Sequence, residues 1–201
     1  ETFKPSNNKE KLKITFCVDH ITTLLTVRRL ESRMGLENLI LALSVLRQRK
    51  KLLGVKLYVA GKGSIKSSLE ELIIEHKLSE NVELLGFVSD ENLKKWYQVS
   101  DSFVLPTEEL EGFGIVTIEA FASGLPVIAT PAGANPEVAG KFCKELLSKT
   151  QNSPLDMANS IERYLNNKER FNGINYSELS RLHFNWTTII SEILEYIEIK
   201  K

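Results

Sequence analysis

The fold of this chain is decided by residues 101–130, which read DSFVLPTEELEGFGIVTIEAFASGLPVIAT. The apolar run Ser102–Leu105 predicts a buried strand, and Phe113–Ser123 predicts a helix that is entered through a loop with two glycines. Gly124 stops that helix, and Pro126–Thr130 predicts a second buried strand. A helix between two buried strands indicates a parallel pair with the helix as its crossover.

The same alternation of strands and helices runs through most of the chain. Further strands are predicted at Thr22–Val27, Val55–Ala60 and Val82–Leu85, with a weaker one at Glu145–Ser148. Apolar spacing and capping residues predict helices at 9–16, 36–46, 69–73, 93–97, after Ser153-Pro154 and at 189–197. We therefore expect an α/β fold, a Rossmann-like parallel sheet with helices on both faces.

The composition narrows the class of protein. The 201 residues are 42% hydrophobic and 26% charged, as in an ordinary globular domain. Lys and Arg together number 26, as do Asp and Glu, so the formal net charge is zero. This balance argues against a nucleic-acid binder with a broad cationic surface. No apolar stretch is long enough to span a bilayer. Peripheral attachment to a membrane is compatible with the sequence.

Cysteine and histidine give no sign of a metal site. Cys17 and Cys143 lack the spacing of metal ligands and are interpreted as reduced thiols of a cytosolic protein. The three histidines, His20, His76 and His183, do not cluster in the sequence with carboxylates or cysteines. We expect no bound metal.

Ligands of parallel sheets bind outside the carboxyl ends of the strands, so the turns after the strands are the candidate sites. The first turn holds three arginines, Arg28, Arg29 and Arg33. They are either a solvated basic loop or, because guanidinium groups pair bidentately with phosphate, include at least one phosphate ligand. The second turn, Gly61-Lys62-Gly63, is a tight strand-to-helix turn from which Lys62 could also reach a phosphate.

The loop before the 113–123 helix carries the most chemical information. The first amides of a helix have no internal partners and suit an anion such as diphosphate, and Gly112 and Gly114 allow close approach of the backbone. Glu119 lies among apolar residues of the helix, which predicts a partly buried carboxylate in need of a partner. The vicinal hydroxyls of a ribose would suit it. Glu137, in a later loop, either caps a segment or contacts the ligand.

Two glutamates with seven residues between them, Glu111 and Glu119, frame a Gly-Phe-Gly turn and are followed by Ala-Phe-Ala-Ser-Gly-Leu-Pro-Val. This pattern resembles the donor-site signature of retaining glycosyltransferases with the GT-B fold, family 4 type. The resemblance continues in 82–88, 101–106 and 184–186 and covers nearly the whole chain. It implies that the chain is one half-domain of a GT-B enzyme.

The resemblance also implies roles for individual residues. Glu119 would hold the ribose, Glu111 would face the transferred sugar, and Arg29 would bind the diphosphate, so that Glu111 and Arg29 are the expected catalytic residues. The backbone near Val88 would contact the base. The expected donor ligands as a set are Arg29, Arg33, Lys62, Val88, Phe113, Gly114, Ile115 and Glu119.

Two positions depart from the resembled pattern in the first turn. Its usual Gly-Arg-Leu is Arg28-Arg29-Leu30 here, and its Lys-Gly is Met34-Gly35. The missing lysine leaves the second phosphate ligand open between Arg33 and Lys62.

The resemblance further implies a domain plan and a reaction. Residues 1–8 would be the remnant of an interdomain linker, 9–180 the donor-binding domain, and 181–201 a C-terminal helix packing toward an acceptor domain that is missing from this chain. The substrate would be a UDP- or GDP-linked sugar, used without a cofactor and transferred to a glycan or lipid acceptor in polysaccharide or lipopolysaccharide synthesis. The full-length enzyme would work in the cytoplasm or at the inner face of the membrane.

Two alternatives to this interpretation stay open. One is a nucleotide-sugar epimerase of the same overall fold, although the paired glutamates around Phe-Gly argue against it. The other is a nucleotide-binding module that performs no transfer. We expect the isolated chain to bind a nucleoside diphosphate and to transfer sugar slowly or not at all.

Overall fold

The computed structural model describes residues 2–185, 187–188 and 190–191 of the chain. Five strands form one sheet in which each neighbouring pair is parallel. They are β1 (Thr22–Val27), β2 (Val55–Ala60), β3 (Val82–Gly86), β4 (Ser102–Leu105) and β5 (Val127–Ala129). The strand order is β3-β2-β1-β4-β5. The predicted Rossmann-like α/β fold is confirmed, and the strands β1, β2, β4 and β5 are mostly buried, as is typical of a parallel sheet.

Helices connect and cover the strands. Within the described residues they are α1 (Lys9–Thr15), α2 (Leu36–Gln48), α3 (Lys66–Glu75), α4 (Asp90–Val99), α5 (Ile115–Ala122), α6 (Asn135–Val138), α7 (Gly140–Cys143), α8 (Pro154–Asn166), α9 (Lys168–Asn172) and α10 (Tyr176–His183). Helix α2 packs against α3 and α8, whereas α4 contacts α1 and α5 contacts α10. Among the described residues, no helix combines the length and the apolar character needed to cross a bilayer.

The helix starts follow local chemistry. Ser153 accepts a hydrogen bond from the Asp156 amide, and Pro154 occupies the first turn of α8, as the sequence predicts. Ser89 precedes α4 at the capping position, but its side chain makes no capping hydrogen bond.

One predicted helix boundary and one predicted strand are wrong. Helix α5 begins at Ile115 rather than at Phe113, because Gly114 adopts a left-handed conformation, with φ of 72°, that ends the incoming loop. The predicted strand 145–148 is a 3-10 turn over Lys144–Leu146, followed by a single parallel bridge between Ala129 and Leu147. Helix α7 ends just before this turn, so that Glu145 and Leu146 are part of the turn and only Leu147 pairs with β5.

The ends of the predicted domain plan are only partly described. Phe3, in the predicted linker, packs edge-on against Tyr97 of α4, with ring centroids 5.3 Å apart. Helix α10 ends at His183, and most of the predicted C-terminal helix at 181–201 lies outside the described residues.

The strand order creates a crevice at the ligand-binding edge. The chain runs outward from β1 to β2 and β3, then returns to the other side of β1 for β4 and β5. The loops that leave the carboxyl ends of β1 and β4 therefore diverge to opposite sides. Such a point of reversal is where open α/β sheets bind ligands.

A buried aspartate ties the opposite, amino-terminal edge of the sheet together. Asp101 Oδ2 accepts hydrogen bonds from the Thr23 amide at 2.9 Å and from Lys13 Nζ at 2.7 Å. Lys9 Nζ lies 3.4 Å from Oδ1 and Lys168 Nζ lies 3.8 Å from Oδ2. Burial raises the pKa of Asp101, but the ammonium groups and the amide outweigh burial and hold this pKa below its ordinary value.

We predict that Asp101→Asn lowers the free energy of unfolding at pH 7 by about 3 kcal/mol, since it leaves the clustered ammonium groups without their counter-charge. A depressed carboxyl pKa stabilises the fold above the unfolded-state pKa of about 3.9, and this contribution is lost as pH falls through the lower native pKa. The difference between the two proteins should therefore vanish in strong acid. Urea unfolding at a series of pH values measures it.

Asp19→Asn is the matched control. The Asp19 side chain is 52% exposed, and His20 is its ionic partner in the described part of the chain. We expect a change within about 0.5 kcal/mol for this surface substitution. Equal effects of the two variants would contradict the structural role of Asp101.

Candidate functional site

An ion pair bridges the crevice between the loops after β1 and β4. Arg28 Nη2 donates to Glu111 Oε2 at 2.7 Å and to Thr107 Oγ1 at 2.6 Å. The Thr107 hydroxyl in turn donates to the same Glu111 oxygen at 2.6 Å. The side chains of Arg28 and Glu111 are only 8% and 9% exposed. The three groups form a closed network on the floor of the crevice.

Neighbouring loops fix the backbone of this network. The Arg28 amide donates to the Ala60 carbonyl at 2.9 Å, and a Cβ on Gly61 would lie 1.7 Å from the Arg28 carbonyl oxygen. On the other side, the Glu111 carbonyl accepts from the Ala134 amide at 3.2 Å. Gly61 is required by this close approach and by its φ of 150°. The two loops that carry the network, after β1 and β4, are therefore held by the loops after β2 and β5 at the same edge of the sheet.

The amino end of α5 opens beside Glu111. The capping residue is Gly114, which has no side chain that could accept a hydrogen bond from the first amides of the helix. Phe113 and Ile115 are 54% and 68% exposed on either side of it. Glu111 Oε1 lies 3.8 Å from the point that a Cβ on Gly114 would occupy. This places a carboxylate oxygen next to a helix end that favours anions.

The second glutamate, Glu119, is held by a buried tyrosine. Tyr97 of α4 is fully buried and donates its hydroxyl to Glu119 Oε2 at 3.0 Å. Burial raises the pKa of Glu119, the tyrosine hydrogen bond lowers it, and the charge of Asp90 raises it further, with a net upward shift. Burial and the Glu119 charge raise the pKa of Tyr97 well above its ordinary value, so the tyrosine stays a donor.

Glu119 also lines a groove of about 750 Å³. Its wall includes Ile115 and Ile118 from α5, Phe3 from the first residues and Phe184 after α10. Polar residues, among them Ser180 and Arg181, also line this groove. Glu119 is half-buried in it with Tyr97 as its partner, which fits the sequence expectation that Glu119 is neither fully exposed nor without a partner.

The cations predicted as phosphate ligands differ in their placement. Arg29 is exposed at the rim of the crevice, one residue from the buried Arg28. The Arg33 carbonyl accepts the amides of Glu108 and Glu109, at 3.1 and 3.4 Å, which ties the 28–35 loop to the loop after β4. Met34, at the position of the resembled pattern's lysine, is 6% exposed and belongs to the core.

The remaining predicted donor ligands lie after β2 and β3. Lys62 is exposed, and its Nζ lies 5.2 Å from the centre of the Phe87 ring, a cation–π distance. Val88 is half-buried between Phe87 and α4. Lys62 and Val88 follow strands on one side of the crevice, whereas Glu111 and α5 follow β4 on the other.

The residues interpreted as ordinary take no part in this network. His76 hydrogen-bonds to Ser44 at 3.0 Å, Cys17 is exposed, and Cys143 is buried, where it accepts the Val127 amide at 3.4 Å. Burial raises the pKa of the Cys143 thiol to about 11. In the part of the chain that the structure describes, no three His, Cys, Asp or Glu side chains gather as a metal site would require. Glu137 is exposed in α6.

Three members of the site escaped the sequence reasoning. Arg28 stood in the predicted basic turn, but adjacent arginines give no signal of which one points into the crevice. Thr107 was part of the quoted loop without a role. Tyr97 ends the helix predicted at 93–97 and has no predicted role, although a buried tyrosine usually needs a hydrogen-bond partner, which here is Glu119.

The sequence of this chain is similar to those of known glycosyltransferases. The family model described as glycosyl transferases group 1 matches residues 7–178. An uncharacterized glycosyltransferase of Methanocaldococcus jannaschii is 37% identical over 115 residues, which are 57% of this chain and 28% of that protein. A GDP-mannose-dependent alpha-(1-6)-phosphatidylinositol monomannoside mannosyltransferase of Mycobacterium tuberculosis is 26% identical over 183 residues, 87% of this chain and 47% of that protein.

A solved structure is similar over nearly the whole chain. The structure of Anabaena Alr3699/HepE in complex with UDP superposes with a TM-score of 0.78 at 23% identity, covering 98% of this chain and 54% of that one. This likeness supports the predicted half-domain of the GT-B fold. The chain thus spans about half or less of the length of these relatives. Because the family model covers most of its length, the chain belongs to the glycosyl transferases group 1 family.

Proposed function

We propose that this chain is the donor-binding domain of a retaining glycosyltransferase, family 4 type, and that its ligand is a UDP- or GDP-linked sugar. The observation that carries the proposal is the arrangement around α5: an uncapped helix end lies between two carboxylates, Glu111 at the crevice and Glu119 on the groove wall. Such a helix end suits a diphosphate, and each carboxylate suits hydroxyl groups.

The proposed ligand would be divided among these groups along its length. The amides of Phe113, Gly114 and Ile115 would meet the diphosphate and the sugar, and the exposed Arg29 would pair with the diphosphate from the opposite rim. Glu119, steadied by Tyr97, would hold the ribose. The base would lie toward Val88. Asp90, the first residue of α4, is near enough to Glu119 for its charge to raise the pKa of Glu119, which supports a position of the ribose close to the start of α4.

A second cation, in place of the lysine of the resembled pattern, would pair with the diphosphate beside Arg29. Lys62 lies over the Phe87 ring on the β2–β3 side of the crevice, where the base end of the donor would lie. Arg33 belongs to the same loop as Arg29 and is braced against the loop after β4. We therefore favour Arg33 as the replacement for the lysine and Lys62 as a contact at the outer end of the ligand.

The proposed chemistry is electrostatic. Negative charge develops on the diphosphate as the bond to the sugar breaks, and oriented amides with a guanidinium stabilise that charge in a site that needs no reorganisation. Glu111 would orient the sugar through its hydroxyls. The acceptor, a glycan or a lipid, would bind on the second domain that the GT-B resemblance implies.

Two relatives bear on the donor and the acceptor. The Anabaena structure holds UDP, and the Mycobacterium tuberculosis enzyme is named for GDP-mannose and for a phosphatidylinositol mannoside. Both bases therefore stay within the proposal, and a lipid-linked acceptor at the inner face of the membrane is one of its forms. We expect the 201-residue chain to bind a nucleoside diphosphate with little or no sugar transfer.

The direct test of this proposal is titration calorimetry of the chain with UDP and with GDP. We expect binding of one of them in preference to the other. Absence of heat with both, from protein that unfolds cooperatively in urea, would overturn the donor-site assignment.

Replacing Glu119 by Gln should weaken nucleoside diphosphate binding roughly 10- to 100-fold, because an amide accepts the ribose hydroxyls less strongly than a carboxylate. The same change should raise the stability of the free protein. The raised pKa of Glu119 means that its ionised form destabilises the fold at pH 7, since stability linked to a raised pKa is lost as pH rises through it. Calorimetry and urea unfolding at pH 7 measure the two effects.

Glu71→Gln, an exposed change of the same kind in α3, is the control and should leave both quantities unaltered. A Glu119→Gln protein that binds as tightly as the parent would remove the ribose role.

Replacing Arg29 by Gln should weaken the binding of the preferred nucleoside diphosphate roughly 10-fold and reduce its dependence on salt, because one charge-assisted contact to phosphate is lost. Stability should stay within about 0.5 kcal/mol of the parent, since Arg29 is exposed. Lys11→Gln removes a charge from the exposed face of α1 and is the control. Equal affinities of the Arg29 and Lys11 variants would contradict the diphosphate contact.

A further inference from the structure

The two oxygens of the Glu111 carboxylate have different surroundings. Oε2 accepts from both Arg28 and Thr107, at 2.7 and 2.6 Å. Among the described residues, no group donates a hydrogen bond to Oε1, which lies beside Gly114 at the amino end of α5. One oxygen is thus used to orient the carboxylate, and the other is presented where the diphosphate and the sugar of a donor would meet.

Arg28 is built to orient Glu111 rather than to bind phosphate itself. Its Nη2 is already shared by Thr107 and Glu111, and its Nε is buried without an acceptor in the described structure. A buried Nε is closed to a ligand that arrives from solvent. The backbone of Arg28 is also fixed, by the Ala60 carbonyl and by the approach of Gly61, so the side chain is anchored at its base.

The neighbouring arginine has the opposite properties. Arg29 is exposed at the crevice rim and is available to an incoming anion, whereas the Arg28 side chain is only 8% exposed. Arg28 stands where the resembled pattern has a glycine before its Arg-Leu pair. Two adjacent arginines therefore divide into one that faces the ligand and one that faces Glu111.

We propose that Arg28, with Thr107, is a positioning residue that holds Glu111 with Oε1 toward the sugar of the bound donor, and that it thereby sets affinity for the sugar and not for the nucleoside diphosphate. This inference rests on the proposed function, because it requires that a nucleotide sugar bind at α5. A fixed carboxylate oxygen accepts a sugar hydroxyl without the entropy cost of ordering a free side chain.

The test compares two dissociation constants for each protein, one for the nucleoside diphosphate and one for its sugar donor. The probes are UDP with UDP-glucose and GDP with GDP-mannose. The readout is the ratio of the donor constant to the diphosphate constant, measured by calorimetry on the 201-residue chain. For Arg28→Gln we expect this ratio to rise roughly 10-fold, the loss of one charge-assisted hydrogen bond, while the diphosphate constant changes less than about 3-fold.

Other variants separate a positioning role from a general structural one. Thr107→Val keeps the shape of a fully buried side chain and removes the hydroxyl, so it should raise the ratio in the same direction but less. Arg28→Lys keeps the charge without the guanidinium fork and should restore the ratio in part. Arg29→Gln, the matched neighbour, should raise both constants together and leave the ratio unchanged.

The outcomes that overturn the inference are distinct from failure of the proposed function. If Arg28→Gln raises both constants equally, Arg28 binds the diphosphate and the inference is wrong. If Arg28→Gln or Thr107→Val folds with an unaltered ratio, Glu111 does not depend on this network. Failure of the parent chain to bind either nucleoside diphosphate would instead remove the proposed function. Should Arg28→Gln not fold, the Thr107→Val ratio decides the question.

Discussion

The ion pair between Arg28 and Glu111 joins the two halves of the sheet at the point where the strand order reverses. The loops that leave β1 and β4 diverge there, and the ion pair is a side-chain contact between them across the floor of the crevice. Removing both charges from water carries a large cost, which the pair offsets only with good geometry and further hydrogen bonds. Thr107 supplies one such bond, and the backbone contacts of Arg28 and Glu111 supply the rigidity.

The two edges of the sheet serve different ends. At the amino edge, Asp101 meets several ammonium groups and a backbone amide. At the carboxyl edge, the buried Nε of Arg28 has no acceptor within the described part of the chain, and burial raises the pKa of Glu119. Such costs to the free protein are typical of sites that gain stabilising contacts only when a ligand binds.

The sequence was sufficient for the strands and the main helices, because buried parallel strands are short runs of β-branched and apolar residues without charged side chains, such as Thr22–Val27 and Ser102–Leu105. It failed at 145–148, where apolar character suggested a strand but a 3-10 turn takes up Glu145 and Leu146 and leaves one bridge, at Leu147. The start of α5 was missed by two residues, because a left-handed Gly114 is a backbone property that the surrounding fold selects.

The sequence predicted most residues of the candidate site but not the hydrogen bonds between them. The paired glutamates and the basic turn were evident from the sequence, but which arginine enters the crevice depends on the backbone of Arg28 being pinned by β2. The bond from Tyr97 to Glu119 likewise joins two helices whose relative placement only packing decides. Long-range hydrogen bonds of this kind leave no periodic signal along the chain.

We propose that the end of α5 and the two carboxylates beside it bind a nucleotide sugar, and a crystal structure of the chain grown with its preferred donor would show whether they do. We expect the diphosphate on the Gly114 and Ile115 amides and the ribose hydroxyls on Glu119. We also expect a sugar hydroxyl on Glu111 Oε1 with the Arg28–Glu111 pair intact. A donor bound elsewhere, or at α5 with Glu111 turned away from the sugar and Arg28 on the phosphates, would contradict it.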